Sequence, residues 1–159
     1  MYSRRNLVKT NMAEVTVATL VSSVGGLFGT AVAVRILGVT SPLLRLACLS
    51  RNITSPLAMA ISGILGTDVS AAVSMVVVTG LFGANFGASI LDKCRVEDPI
   101  ARGLAMGSAA HGLGTAAIVD EPDAFPFSAI SMALTASTCT VLVSIPLIRN
   151  ALIRLSLGV

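Results

Sequence analysis

The chain has 159 residues, of which 54% are hydrophobic and 12% are charged. A soluble domain carries about 25% charged residues, so this composition excludes an ordinary soluble protein and indicates an integral membrane protein. The net charge is +3, and no basic run is longer than Arg4-Arg5. A nucleic-acid surface is excluded as well, because phosphate binding needs Lys and Arg gathered on one solvated face.

Residues 1–14 form a basic N-terminal segment or loop that contains Arg4, Arg5 and Lys9. No apolar stretch precedes a small-residue cleavage site, so the segment is not a signal peptide. Its basic and hydroxyl residues fit either the tail of a transit peptide or a loop leading into the first span. A multi-pass membrane domain is expected over residues 15–149, followed by a C-terminal tail over residues 150–159.

The pattern of charges predicts an all-α membrane fold with about five crossings. Residues 15–34, 69–91 and 127–148 contain no charged side chain, and each supplies the roughly 20 residues that a spanning helix requires. Two further segments, residues 42–66 and 99–119, are apolar but interrupted, which predicts discontinuous helices. The order of plain and broken crossings fits a twofold inverted repeat, or alternatively a pair of unrelated re-entrant loops.

The first interruption lies at Arg51-Asn52-Ile53-Thr54-Ser55-Pro56. A residue before proline leaves the α region, and proline suits the first helical turn, so two half-helices are expected to meet here. Guanidinium, amide and hydroxyl donors beside a helix N-terminus suit a carboxylate. The candidate binding residues are Arg51, Asn52, Thr54 and Ser55; the alternative is that the arginine snorkels to headgroups and the others cap a helix.

The second interruption surrounds His111, the only histidine of the chain. Glycine within a helix costs about 1 kcal/mol relative to alanine, so a continuous helix through residues 110–115 is not expected. An ionisable residue at this depth predicts function, and imidazole can exchange a proton near neutral pH. The alternative is a neutral histidine bonded to a neighbouring helix. The candidate residues of this break are His111, Gly112, Gly114 and Thr115, with His111 also expected to couple proton movement.

Other polar residues have simpler interpretations. Asp68 and Asp98 are expected to cap the helices that follow them, and Arg102 is expected to pair with Asp98 at i, i+4 spacing. The glycines of residues 25–29 and the stripe Gly80, Gly83 and Gly87 predict close helix packing. No phosphate loop, HExxH or GxSxG motif is present, so the sequence predicts no enzyme, no metal site and no cofactor.

Loop charges predict the orientation. If both interrupted segments cross, one side receives Arg35, Lys93, Arg95, Arg149 and Arg154, and the other receives Asp68, Asp120, Glu121 and Asp123. Basic loops face the compartment of insertion, so the Arg149 side is expected to be the cytoplasm or stroma. The basic N-terminus falls on the opposite side in this scheme.

Two strings, RNITSPLA over residues 51–58 and DPIARGLAMGSAAHGLGTA over residues 98–116, resemble the LrgB/CidB membrane family. TGLFGANF over residues 79–86, LDK over residues 91–93 and EPDAFPF over residues 121–127 are similar to its plant and algal branch, the plastid glycolate/glycerate translocators. The resemblance implies a multi-pass protein of the plastid inner envelope that exchanges glycolate and glycerate in photorespiration, with proton coupling.

The resemblance also implies partners and an alternative. Plastid members carry a transit peptide, an LrgA-like half and the start of the LrgB-like half, so this chain is expected to be a C-terminal part that acts with an LrgA-like half or a homologous subunit. Bacterial members are plasma-membrane proteins described as antiholin-like regulators of murein hydrolases. Where they carry Lys, this chain has Arg51, whose planar fork suits a carboxylate.

The sequence thus favours a carrier of small 2-hydroxy monocarboxylates in a lipid bilayer. Arg51 and the first-break hydroxyls are expected to take the carboxylate, and His111 with Thr115 to contact the hydroxyl or handle the proton. One competing interpretation is a membrane effector that oligomerises through the Gly80, Gly83 and Gly87 stripe. Another is a fragment that is inert without its missing half.

Overall fold

A computed structural model describes residues 10–158. Within this range, three helices are long and apolar enough to cross a bilayer: α1 (Met12–Ile36), α4 (Val69–Lys93) and α6 (Phe125–Ser144). The remaining helices are shorter or kinked: α2 (Pro42–Ala47), α3 (Ser55–Leu65), α5 (Pro99–Ala117) and α7 (Pro146–Leu157). The all-α membrane fold is therefore confirmed, although Arg4, Arg5 and Lys9 lie outside the described residues.

Helix starts follow the local sequence signals. The Asp68 carboxylate accepts a hydrogen bond from the Ala71 N–H at 2.6 Å, and Asp98 accepts one from the Ala101 N–H at 2.8 Å. Both residues satisfy a backbone donor that the first helical turn leaves open. The two predicted N-caps are confirmed.

The first interrupted segment is a hairpin that returns to the side where it starts. Its inward arm is α2 with a 3-10 turn at Cys48–Ser50, and its outward arm is α3. The Thr67 hydroxyl donates to the Leu43 carbonyl at 2.6 Å, whereas a continuous helix would hold these residues roughly 36 Å apart. We call residues 42–65 the first hairpin and residues 51–54 its tip.

The second interrupted segment also folds back. At His111 the backbone has φ 43° and ψ −136°, which divides α5 into two arms. A Cβ added at Gly114 would meet the Ala110 side chain and lie 3.1 Å from the Met106 carbonyl oxygen. Residues eight positions apart in a straight helix would be about 12 Å apart. We call residues 99–117 the second hairpin, with His111 as its tip.

An ion-pair network holds both ends of the second hairpin together. The Arg102 guanidinium donates two hydrogen bonds of 2.8 Å to Glu121 and one of 2.7 Å to Asp92. The expected pair with Asp98 is wrong, because the chain reversal brings a carboxylate from beyond the hairpin within reach. Asp98 instead caps α5.

The two hairpins enter from opposite faces of the bundle. The first hairpin begins and ends near the C-terminus of α1 and the N-terminus of α4. The second begins and ends near the C-terminus of α4 and the N-terminus of α6. Both helix breaks are confirmed, but their paths differ from a simple crossing because each segment turns back. This arrangement fits the re-entrant loops, and the inverted repeat stays a prediction.

Chain reversal also sorts the charges differently from the expected topology. One face carries Arg35, Arg45, Arg149 and Arg154 with Asp68; the other carries Glu14, Asp92, Lys93, Arg95, Glu97, Asp98, Arg102, Asp120, Glu121 and Asp123. We call them the basic and the acidic face. Lys93 and Arg95 join the acidic loops rather than the Arg149 side. Orientation follows the bias of Lys and Arg rather than the net charge. Among the described residues, four of them lie on the basic face and three on the acidic face, so the assignment of the Arg149 side to the cytoplasm or stroma stays a prediction.

The tail beyond the last span contains a helix. α7 has 12 residues, too few to cross, since a spanning helix needs about 20. It lies on the basic face, where Arg45 donates to the Ser156 carbonyl at 3.2 Å and Leu152 is buried. The tail therefore packs as part of the membrane domain.

The predicted glycine stripe of α4 is a packing surface. A Cβ at Gly80 would lie 2.5 Å from the His111 ring, one at Gly83 would meet Ala110, and one at Gly87 would lie 2.5 Å from the Met106 sulfur. The second hairpin thus lies directly on this stripe. Among the α1 glycines only Gly26 makes such a contact, whereas Gly25 and Gly29 have open space beside them.

We expect cysteine labelling to distinguish a hairpin from a crossing. Cys94 is exposed just after α4, so in a Cys48→Ser, Cys139→Ala background it should react with an impermeant maleimide from one side only. Asp120→Cys lies beyond the second hairpin. In the same background with Cys94→Ala added, it should be labelled from the side from which Cys94 reacts. Asn150→Cys on α7 should be labelled from the opposite side.

Labelling after detergent solubilisation controls for the reactivity of each thiol. A continuous fourth crossing would instead place Asp120→Cys on the side opposite Cys94 and would return Asn150→Cys to the Cys94 side, and that result would contradict the hairpin.

The Arg102 network predicts a pH-dependent stability. Hydrogen bonds from Arg102 hold the pKa of Glu121 below its usual range. Because the pKa of Glu121 is lower in the folded state, its ionised form stabilises the fold at pH values above the ordinary glutamate pKa of about 4.3. This stabilisation is lost as the pH falls through the lowered pKa. Glu121→Gln should therefore lower the unfolding temperature at neutral pH, and its difference from the parent should shrink in acid.

Helical circular dichroism in detergent measures both temperatures. Glu97→Gln is the matched control, since Glu97 is exposed in the preceding loop. An equal effect of both substitutions, or a difference that does not change with pH, would contradict this role of Glu121.

Candidate functional site

A cavity of about 260 Å³ lies beside the tip of the first hairpin. Within the described part of the chain, Arg51 is the one charged residue of its lining, and α4 and the second hairpin supply most of the wall. The other lining residues are small or apolar apart from one hydroxyl: Thr79, Phe82, Gly83, Gly87, Ile90, Leu91, Ala105, Met106, Ala109 and Ala110. The cavity therefore lies where elements from both breaks meet.

The Arg51 guanidinium is positioned by a neutral partner. Its Nε donates to the Thr30 hydroxyl of α1 at 3.1 Å, which leaves the two terminal Nη groups for other acceptors. Among residues 10–158, the ion pairs are those of Arg102 with Asp92 and Glu121, so Arg51 has no carboxylate partner in that range. A guanidinium held this way can receive an anion through charge-assisted hydrogen bonds.

The other candidates of the first break have different environments. Asn52 is 5% exposed and packs against α1, where its Nδ2 would lie 2.6 Å from a Cβ at Gly26. Thr54 and Ser55 are half-buried at the start of α3, and the Thr54 side chain makes no cap hydrogen bond. The N-terminus of α3 therefore keeps open N–H donors and the positive end of its dipole beside Arg51.

His111 occupies the tip of the second hairpin, but its ring faces α4 rather than the cavity. Nε2 lies 2.9 Å from the Val76 carbonyl oxygen, and the ring packs against Gly80. A carbonyl can only accept, so Nε2 carries a proton and Nδ1 is the nitrogen that can gain one. The backbone conformation of His111 is one that glycine favours, which makes this tip a strained position.

The remaining candidates of the second break hold the hairpin together. The Thr115 hydroxyl lies 2.8 Å from both the His111 carbonyl oxygen and the Ser128 hydroxyl. Gly114 is buried against the opposite arm, and Gly112 faces Met132 of α6. None of these residues lines the cavity beside Arg51, so their expected contacts with a substrate stay predictions.

Two residues of the site were missed by the sequence analysis. Thr30 holds the Arg51 side chain, and Thr79 supplies a hydroxyl to the cavity wall. Both lie within spanning helices and resemble ordinary packing residues. The only available signal was polarity within an apolar helix, which many threonines share.

The described residues contain no group of three or more His, Cys, Asp and Glu side chains that could hold a metal ion.

The arrangement beside the cavity offers a cationic donor, a hydroxyl and helix N–H groups. Such a set recognises a small anion that also carries a hydroxyl.

Comparison with known proteins agrees with the resemblance in the motifs. The chain is 46% identical over 155 residues to plastidal glycolate/glycerate translocator 1, chloroplastic, of Arabidopsis thaliana, covering 96% of this chain and 30% of the relative. It is 28% identical over 146 residues to the holin-like protein CidB of Staphylococcus aureus, covering 91% and 63% respectively. The chain thus spans less than two thirds of either relative, and no solved structure matches it.

A family model described as the LrgB-like family matches residues 1–149. The match includes both hairpins and all three spanning helices. The chain belongs to the LrgB-like family.

Proposed function

We propose that this chain forms the solute-binding part of a membrane carrier for small 2-hydroxy monocarboxylates such as glycolate and glycerate. The observation that carries the proposal is the Arg51 guanidinium, held at a hairpin tip without a carboxylate partner among the described residues and lining a cavity of about 260 Å³. The name of the Arabidopsis relative supports the substrate class and the plastid as the location, and the proposal places the chain in the plastid inner envelope.

The proposed contacts follow from the chemistry of the cavity wall. The carboxylate is bound by the two Nη groups of Arg51 and by the N-terminus of α3 with Thr54 and Ser55. The 2-hydroxyl is bound by Thr79, which lies in the same cavity wall. Thr115 is a less direct candidate, since its hydroxyl already contacts His111 and Ser128.

His111 remains the proposed proton-coupling residue. Its Nδ1 can accept a proton while Nε2 stays bonded to Val76, and its neighbour Ala110 lines the cavity. Protonation would change the charge at the tip beside the bound anion. Proton and solute would in this way influence each other's binding.

The alternative function is a membrane effector, which the name of the Staphylococcus relative supports. That hypothesis used the α4 glycine stripe as its assembly face. The stripe is covered by the second hairpin of the same chain, so the surface proposed for assembly is already occupied. The carrier therefore has the stronger support from the geometry.

Counterflow in proteoliposomes tests the carrier. Vesicles loaded with unlabelled glycerate should accumulate labelled glycolate, with this chain alone or together with an LrgA-like segment. Arg51→Gln removes the charge-assisted bonds, which are worth about 1.5–3 kcal/mol, so uptake should fall about 10- to 100-fold. Thr79→Val should weaken glycolate uptake more than uptake of an acid that lacks the hydroxyl.

Arg154→Gln is the matched control, because Arg154 is exposed on α7 away from the cavity. His111→Gly keeps the backbone conformation of the tip while removing the imidazole, and should abolish the pH dependence of uptake. The proposal would be overturned if the parent protein accumulated no glycolate in both reconstitutions, alone and with the LrgA-like segment. Normal uptake by Arg51→Gln would overturn it as well.

A further inference from the structure

Helix α7 lies along the basic face of the bundle. At its start a single residue, Ile145, separates it from the end of α6. At its other end a Cβ added at Gly158 would lie 3.5 Å from the guanidinium of Arg35, which belongs to the last turn of α1. Both ends of α7 are therefore level with the ends of spanning helices, so this helix runs in the plane of the membrane surface.

One side of α7 is packed on the bundle and the other is open. Leu152 and Ser156 are fully buried and lie one turn apart. Leu147 and Arg154 are exposed, and their spacing of seven residues places them on one stripe of the helix. An exposed stripe that carries both a leucine and an arginine fits the boundary between acyl chains and headgroups.

Exposed apolar side chains surround α7 on this face. The highest exposures among the large apolar side chains of the described residues are 81% at Leu147 and 78% at both Ile36 and Leu37. Contact with water disfavours such apolar area, whereas insertion at the headgroup boundary removes it from water. The end of α1 and the start of α7 are thus suited to lie within the headgroup region of one leaflet.

The arginines of this face carry charge that no described carboxylate neutralises. Three of them form no ion pair among residues 10–158: Arg35, Arg149 and Arg154. Arg45 donates to the carbonyls of Ser156 and Leu157 at 3.2 and 3.4 Å. Asp68, the one acidic residue that the described part of the chain has on this face, caps α4. The face therefore presents free guanidinium groups to the lipid.

The chemistry and spacing of these groups indicate their partner. Guanidinium binds phosphate through charge-assisted hydrogen bonds, and basic segments beside a bilayer attract anionic lipids. The arginines are distributed along a helix roughly 18 Å long, which fits a layer of headgroups better than one bound ion. We propose that Arg35, Arg149 and Arg154, with Leu147, Ile36 and Leu37 inserted beside them, form a docking surface for anionic phospholipid headgroups.

Lipid docking would also stabilise the base of the first hairpin. Arg45 belongs to the inward arm of that hairpin and bonds to the last turn of α7. Anionic lipid that holds α7 against the bundle therefore favours the folded position of this arm. The proposal concerns the lipid contact of the fold and does not rest on the proposed carrier function.

Thermal unfolding of the detergent-purified chain, followed by helical circular dichroism, tests the docking surface. Phosphatidylglycerol added to the micelles should raise the unfolding temperature to a plateau, as expected for a ligand that binds the folded state. An equal mole fraction of phosphatidylcholine should raise it less, and sodium phosphate at equal ionic strength to NaCl should not raise it further. The response to phosphatidylglycerol should shrink at high salt.

Arg35→Gln and Arg154→Gln should each raise the phosphatidylglycerol fraction at half-response about five-fold, because each arginine near an anionic surface contributes attraction of this order. Arg154→Lys should keep most of the response, since it keeps the charge. Arg95→Gln is the matched control, because Arg95 is an exposed arginine near the acidic face. Glycolate uptake by Arg154→Gln into phosphatidylcholine vesicles should stay normal, because α7 does not line the cavity beside Arg51.

Equal stabilisation by phosphatidylglycerol and phosphatidylcholine would overturn the docking surface, and the exposed face would then be left for a protein partner. An unchanged half-response in the double variant Arg35→Gln, Arg154→Gln would overturn it too. Stabilisation by sodium phosphate alone would indicate a site for a free anion and would contradict lipid docking. Absence of glycolate counterflow would remove the carrier function and leave this surface in place.

Discussion

Backbone groups that leave a helix inside a bilayer must find partners within the protein, because lipid offers none. Both hairpins depend on this requirement. The tip of the first is packed against α1 through Asn52 and Gly26, and the tip of the second is held on α4 by the bond from His111 to Val76. The polar groups freed at the two breaks are thereby held within the protein, and the candidate cavity lies beside the tip of the first hairpin.

Much of the fold could be predicted because its signals are local. Asp68 and Asp98 cap helices through bonds that span only three residues, and Pro56 and the glycines around His111 mark the two breaks. The direction of the chain after each break could not be predicted in this way. It depends on long-range contacts, such as Arg102 with Glu121, and on a backbone angle at His111 that no simple rule assigns to histidine.

The candidate site was predicted in part for the same reason. Arg51 stands out in any apolar segment, and it does line the cavity. His111 is equally conspicuous, yet its ring is bonded to a carbonyl, because a folded-back arm presents its tip to the neighbouring helix. Thr30 and Thr79 could not be distinguished from packing residues until the hairpins placed them beside Arg51.

The two hairpins also differ in what ties their bases. Arg102 fastens one base with three hydrogen bonds to two carboxylates. The other base is tied through neutral acceptors, because Thr67 donates to the Leu43 carbonyl and Arg45 donates to the Ser156 carbonyl. Salt screens ion pairs between partly exposed charges more than it weakens such neutral contacts, so the ionic strength of the compartment at the acidic face would act on one hairpin and leave the other unaffected.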